Sequence, residues 1–517
     1  MKYIEAPELS FKDYLFKDRQ NKIILLASAI AVAIQFIAFK YVYPNASFIH
    51  GDSFSYINAA AQNLDINTYM VGYSKFLRLF SVFTKSDTTL VAFQYLLIQG
   101  SILFLLFTVF YFYKTGKLIK MTLLCFMIFN PLFLHLANLV SSDCLFTSLS
   151  LVWFTLLLWI IHQPSSRIIF YHAIVVFIAF TVRYNALIYP FISAFAFGLS
   201  RLPLRSKLIG IASGSLLCVL FIFQTTYKYK ELTGIWQYSP FSGWQFANNA
   251  MYAYRYIDSA DRKPVPAKFK PLDKMIQKYF DSTRDTKKHP IEEIQASTFY
   301  MWSRGLPLMK YRDSLFKKDT AASELKKWAS MGPLYKDYGI HIIKQYPLYF
   351  IRYFIWPNAN KYYAPPVEFL EDYNSGKRDV TETAKTWFGY KSRIIGTRSK
   401  SNKVWVLDFY PILSGIINVM MLFTIVCYII LKGWRNNDLF RKGVLMAAVI
   451  WLLNAGFTIF ASSAALRFQS FPILLITIFC CLMIDWLRVM AKTGQASINV
   501  KGIPLNATDA LSSEIMA

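Results

Sequence analysis

Apolar and polar residues are segregated along this chain into long blocks. The stretches 23–43, 89–113, 118–133, 142–161, 168–182, 185–199, 208–225, 410–431, 444–460 and 468–487 are almost wholly apolar. Roughly 20 apolar residues cross a ~30 Å hydrocarbon layer as a helix, so the pattern predicts an all-α multi-pass membrane protein with about ten transmembrane helices, those at 168–182 and 185–199 being short. Helix is the form to expect, because a lipid-facing backbone must satisfy its own hydrogen bonds. A hydrophilic stretch, 227–408, separates the seventh block from the eighth and is predicted as a mixed segment outside the bilayer. The chain thus divides into an N-terminal membrane half (1–226), that segment (227–408), a C-terminal three-helix part (409–492) and a loose tail (493–517).

Two polar stretches carry weaker apolar patterns. After the first block, SYINAAAQNLDINTYMVGYSKFLRLFSVF (55–83) has apolar and aromatic residues at loosely helical spacing, which predicts one or two amphipathic helices lying on the membrane surface. Further on, YGIHIIKQYPLYFIRYFIWP (338–357) is apolar enough to span, but Lys344, Pro347 and Arg352 interrupt it. It reads as a helix in the interface, aromatics down and basic groups up.

Orientation follows from Lys and Arg in the short loops. Lys12, Lys17, Arg19 and Lys22, then Lys114, Lys117 and Lys120, then Arg201, Arg205 and Lys207, then Lys432, Arg435, Arg441 and Lys442, and finally Arg488 and Lys492 share one side when the chain crosses ten times. That side is the cytoplasm, so both termini are expected inside and 227–408 outside. The alternative is a single crossing over 168–200; the basic run at 201–207 favours two, because it must return inside.

With 517 residues, 55% hydrophobic and 17% charged, the chain is too long and too apolar for one soluble core. The net charge of +26 would suggest nucleic acid in a soluble protein. Here anionic lipid headgroups or a phosphate-bearing lipid account for it, and no nucleic-acid role is expected. All six cysteines lie in or beside apolar blocks, which gives neither a disulfide framework nor zinc spacing. The first block lacks a cleavage-site pattern and reads as an uncleaved anchor. The acceptor patterns NAS at Asn45 and NAT at Asn506 are of a kind common by chance, and Asn506 is predicted inside. The aromatic run 236–258 fits a sugar-stacking surface and the core of a small packed domain equally well.

Four polar features stand out against the apolar background. HGDSFSY (50–56) holds Asp52 with His50, Ser53 and Tyr56 just after the first span. SSD (141–143), after Asn130-Pro131, opens the fourth span with Asp143, as either a chemical group or part of a helix N-cap. Arg183 lies between the two short spans, where a buried cation is costly unless paired. Arg467 opens the last span in ALRFQSFP. Two acids and two arginines, far apart in sequence, are thereby predicted on one face, at helix ends where a lipid headgroup is met.

These stretches resemble the GT-C superfamily of polyprenyl-phosphate-sugar-dependent glycosyltransferases, in its protein mannosyltransferase and aminoarabinose transferase branch. The resemblance rests on GDSFSYINAA, GYSKFLRLFS, NPLFLHLANLVSSDCLFTSLSLVWF, VRYNALIYP, QYPLYFIRY and RFQSFPILLI. It implies an inverting transferase that moves a sugar from a polyprenyl-phosphate donor to a lipid, glycan or protein acceptor at the outer face of the membrane; a bacterial inner membrane is expected because no eukaryotic retention signal is read in the sequence. Carried over by residue, Asp52 is the general base, with His50 able to assist. Asp143 is the second acid, orienting the acceptor or holding a divalent cation. Arg183, Arg467 and Lys75 meet the donor phosphate. Tyr56 belongs with the substrate-binding residues, as packing rather than chemistry. Where many relatives carry an Asp-Glu pair this chain has GDS, so metal dependence stays open.

A transporter or lipid flippase is the alternative. It would favour polar groups at mid-bilayer and internal repeats, whereas the acids here gather at one boundary and no repeat is visible. A third reading is a scaffold that binds lipid-linked glycans without turnover.

Overall fold

The computed structural model describes residues 9–294, 296–435, 437–461 and 463–501, with side chains to 492. Among these residues the fold is helical, with no strand and three isolated bridges, so the segment expected to be mixed is built from helices and loops. The tail residues 502–517, and with them Asn506, lie outside the described residues. Residues 493–501, read from sequence as loose, continue the last helix, Leu466–Lys501.

Among the described residues eight helices are long and apolar enough to cross a membrane: Arg19–Val42, Asp87–Phe112, Lys117–Asn138, Ser142–His162, Leu204–Thr233, Trp405–Ile430, Asp438–Ala461 and Leu466–Lys492. The remaining two of the expected ten are the shorter Ser166–Val182 and Tyr184–Leu199. Starts follow local chemistry. Asp18 accepts from Asn21 N at 2.7 Å and Ser86 from Thr89 N at 3.2 Å, each capping free amides of a first turn. The third span is interrupted where Asn130 accepts from Leu132 N at 3.0 Å and Pro131 starts a new helix.

The connections collect at two ends of the bundle. At one, Gly116 N donates to Asp485 Oδ2 at 2.6 Å, Arg201 pairs with Asp438 at 3.7 Å, and Tyr113 bonds His162 Nε2 at 2.9 Å. This end carries the basic short loops. At the other, Ser47 N donates to Asn138 O at 2.8 Å and Arg183 meets Asp143. Arg183 and Arg201 therefore sit at opposite ends, and the two short helices carry the chain across the bundle and back.

Residues 227–408 pack in two ways. A lobe with its own core forms around Trp244, Tyr335, Tyr338, Phe280 and Phe354. Its main helix pair, Pro240–Tyr254 against Glu324–Gln345, approaches to backbone contact through Gly243, Gly332 and Gly339; a Cβ on Gly243 or Gly339 would overlap the facing main chain. The buried Arg255–Glu292 pair at 2.5 Å, with Tyr300 donating to Glu292 at 3.1 Å, ties the lobe together. The stretch from 364 to 409 instead joins the main core through Leu370, Tyr373, Val380 and Phe388. It straps both ends of the loop between the first two long helices: Tyr373 OH donates to Ala46 O at 3.1 Å, Asn374 N to Ser47 Oγ at 2.9 Å and Tyr390 OH to Asp87 Oδ2 at 2.7 Å.

The 338–357 stretch is not one helix. It breaks at Tyr346 before Pro347, passes through a π-turn at Ile351–Ile355 and continues as Trp356–Tyr363. Its aromatics Tyr338, Phe350 and Phe354 pack into the lobe core, leaving Leu348, Ile351 and Trp356 exposed. Part of the aromatic side is thus covered by protein, while Leu348, Ile351 and Trp356 keep an exposed apolar strip.

Candidate functional site

Asp52 is the first residue of the helix Asp52–Ala61, the first of two amphipathic helices; the second is Gly72–Ser81. The residues around it build its support. Ser53 Oγ accepts from Ile49 N at 2.8 Å and pins the turn, and Ser55 Oγ accepts from Asn67 Nδ2 at 3.0 Å, drawing the following loop back over the helix. Tyr56 is buried, and its hydroxyl bonds Ser142 Oγ at 3.0 Å, fastening this helix to the start of the fourth span.

Asp143 lies in the first turn of Ser142–His162, with its side chain fully shielded. The capping explanation for SSD does not hold. Ser141 takes the N-cap position without a side-chain cap bond, and its Oγ donates instead to Asp143 Oδ2 at 2.5 Å. The Asp143 carboxylate is held by Arg183 on Oδ1 and by Arg467 on Oδ2 at 3.2 Å. Arg467 is forked: its other terminal nitrogen donates to Asp52 Oδ2 at 2.8 Å. Tyr69 OH completes Asp52, donating to Oδ1 at 2.8 Å. Burial and the neighbouring Asp52 charge push the Tyr69 hydroxyl well above its ordinary pKa, so it stays a donor.

Two carboxylates and two guanidiniums from four distant segments thus form one neutral, alternating cluster at the end of the bundle opposite the basic loops. Arginine suits the bridging place because its planar fork reaches two acceptors at once. Its faces are covered: Arg467 lies 4.5 Å from the Phe369 ring centroid and 4.3 Å from that of Phe468, and Arg183 lies 4.7 Å from Phe468. Phe369 adopts φ +70°, a left-handed conformation costly for such a side chain. Arg467 Nε has no hydrogen-bond partner among the described residues.

Accessibility ranks the four groups. The Asp52 side chain is 21% exposed and Arg183 16%, whereas Arg467 is 4% and Asp143 0%. Solvent reaches the first two; Asp143 lies beneath them as the arginines' counter-charge.

Two residues expected at the site make no hydrogen bond to the cluster among the described residues. Lys75 is on the second amphipathic helix but turns outward to Asp65 at 2.9 Å and to Asn63, because that nearby acid gives an exposed cation a partner. His50 packs its ring edge-on against Phe54 at 4.8 Å, and no hydrogen bond among the described residues joins it to Asp52. Burial and then Lys377 lower its pKa, which favours the neutral ring. Sequence reasoning missed Tyr69, Phe369 and the cover given by Phe468. Tyr69 and Phe369 sit in loops whose fold is set by distant contacts, while Phe468, beside Arg467, was readable as an arginine-aromatic pair.

A divalent cation does not fit this donor set. Among the described residues no three His, Cys, Asp or Glu side chains converge, and the space between Asp52 and Asp143 is taken by the Arg467 guanidinium. No family model matches the chain, and no curated protein or solved structure matches it.

Proposed function

We propose that this chain is a membrane glycosyltransferase that moves a sugar from a polyprenyl-phosphate donor to an envelope acceptor at the outer face of a bacterial inner membrane. The observation that carries the reading is the Asp52–Arg467–Asp143–Arg183 cluster at the mouth of the apolar helices. On this reading the chain crosses the bilayer ten times, with the basic loops inside by the positive-inside rule.

The chemistry follows from charge. Displacement at the anomeric carbon forms a bond from the acceptor oxygen and breaks the bond to the phosphate oxygen, which leaves with the electron pair. The developing negative charge needs compensation in a site of low dielectric, and Arg183, with Arg467 behind it, supplies it. The acceptor proton passes to Asp52, the accessible carboxylate. Asp143 positions both arginines without touching substrate. A donor phosphate drawing on the arginines would loosen the Arg467–Asp52 pair and free the base. A charge cluster at one end of the bundle is also a poor fit to a mid-bilayer transport path, where the charged groups would lie deeper along the helices.

The test uses membranes containing the chain, given polyprenyl-phosphate hexoses and pentoses. Release of free polyprenyl phosphate together with a glycosylated product supports the reading. Vectorial movement of the lipid or sugar without product refutes it.

A further inference from the structure

We propose that a cleft beside the cluster, between the Asp52–Ala61 helix and the outer lobe, is a hexopyranose-binding subsite for a glycan acceptor. This deepens the transferase reading and rests on it for the word acceptor; the sugar-binding chemistry stands on the cleft itself. The cavity measures about 380 Å³, within the range of small-molecule sites.

One wall is aromatic. Trp302 stacks on Trp328 with centroids 4.9 Å apart and planes within 9°, and Trp328 stacks on Trp244 at 3.9 Å and 3°. Trp244 is fully buried, while Trp302, at the open end of the stack, is 36% exposed. The aromatic run in the sequence is therefore both packed core and exposed surface: Trp244 belongs to the first, and Trp302, outside that run, supplies the second. A flat indole held from behind offers an apolar face to the C–H face of a pyranose at little cost in side-chain freedom.

The rest of the lining is mixed, with Leu64, Met309 and Leu325 beside polar groups. Asn58 and Gln62, both exposed, line the cleft from the Asp52 helix, and the Arg312–Glu324 pair at 3.2 Å lines it from the lobe. Amides beside a fixed cation and anion supply donors and acceptors for ring hydroxyls. Trp328 belongs to the same lining, with its Nε1 buried and without a partner among the described residues. A lipid tail would leave these polar groups unmatched, and so the cleft suits sugar better than acyl chain.

Tyr69 links the cleft to the cluster. Thr68 is in its lining, and the next residue, Tyr69, bonds Asp52 at 2.8 Å and lies 5.8 Å from the Trp302 ring centroid. A glycan seated on Trp302 would extend along Tyr69 towards the base.

The full chain in detergent is examined by saturation-transfer difference NMR with the methyl pyranosides of glucose, galactose, mannose and N-acetylglucosamine. Transfer to the ring C–H protons of at least one sugar is expected, falling about five-fold or more in Trp302→Ala and in Asn58→Ala/Gln62→Ala, whose exposed positions leave folding intact. Absence of transfer in the wild type, or transfer unaffected by both variants, overturns the subsite. Trp302-dependent sugar binding without any donor turnover refutes only the transferase reading. Donor turnover without such binding refutes only the cleft.

Discussion

The cluster predicts a split between stability and activity that separates its two carboxylates. In Asp143→Asn, Arg183 loses its carboxylate and Arg467 keeps only Asp52, at 2.8 Å. The Asp143 side chain is 0% exposed, so water cannot take its place. Breaking a buried pair by neutralising one partner costs about 3–5 kcal/mol. In Asp52→Asn, Arg467 retains Asp143 at 3.2 Å, and the replaced side chain is 21% exposed. That loss is of the order of a charged hydrogen bond in partial contact with water, about 1–2 kcal/mol. Heating detergent-solubilised protein and following the monodisperse fraction by size exclusion should place Asp143→Asn well below Asp52→Asn, with Asp52→Asn near the wild type. Transfer should show the reverse emphasis among folded molecules, with Asp52→Asn slowed about 10²–10⁴-fold as a general base is lost. Equal stability of Asp143→Asn and wild type, or a larger loss in Asp52→Asn, would refute the division into a positioning and a reacting carboxylate.

Arg467→Lys should keep the chain folded but slow transfer by about 10²-fold, because an ammonium cannot hold Asp52 and Asp143 in the forked geometry; a steady-state rate near wild type would count against the fork. Gly339→Ala should destabilise the outer lobe by about 2 kcal/mol or more, since its Cβ meets the Phe246 main chain, and limited proteolysis within 240–363 should report it. Burial raises the Glu368 pKa. A raised folded value favours folding below the ordinary carboxylate pKa, and that contribution is lost as pH climbs through the folded value. Glu368→Gln should therefore leave the unfolding midpoint unchanged near pH 4 and raise it near pH 8; a midpoint that falls at the higher pH contradicts the assigned environment.

The helices of the bundle were readable because bilayer-length apolar blocks are a strong local signal. The meeting of Asp52, Asp143, Arg183 and Arg467 was readable for a related reason: charged groups at the ends of apolar helices have few places to go except to one another. Local pattern failed where tertiary contacts decide. Lys75 was assigned to phosphate because it lies on the right helix, but Asp65 in the preceding loop holds it outward. Tyr69 and Phe369 carry no periodic signal, and Phe369 reaches Arg467 through a backbone conformation that composition would never suggest.

The central claim is that Asp52 accepts the acceptor's proton in a lipid-linked sugar transfer. It is tested most directly by kcat for sugar transfer with purified chain in proteoliposomes at saturating donor, wild type against Asp52→Asn. The account predicts turnover in the wild type and a fall of about 10²-fold or more in a folded Asp52→Asn. Equal kcat in the two proteins would contradict it.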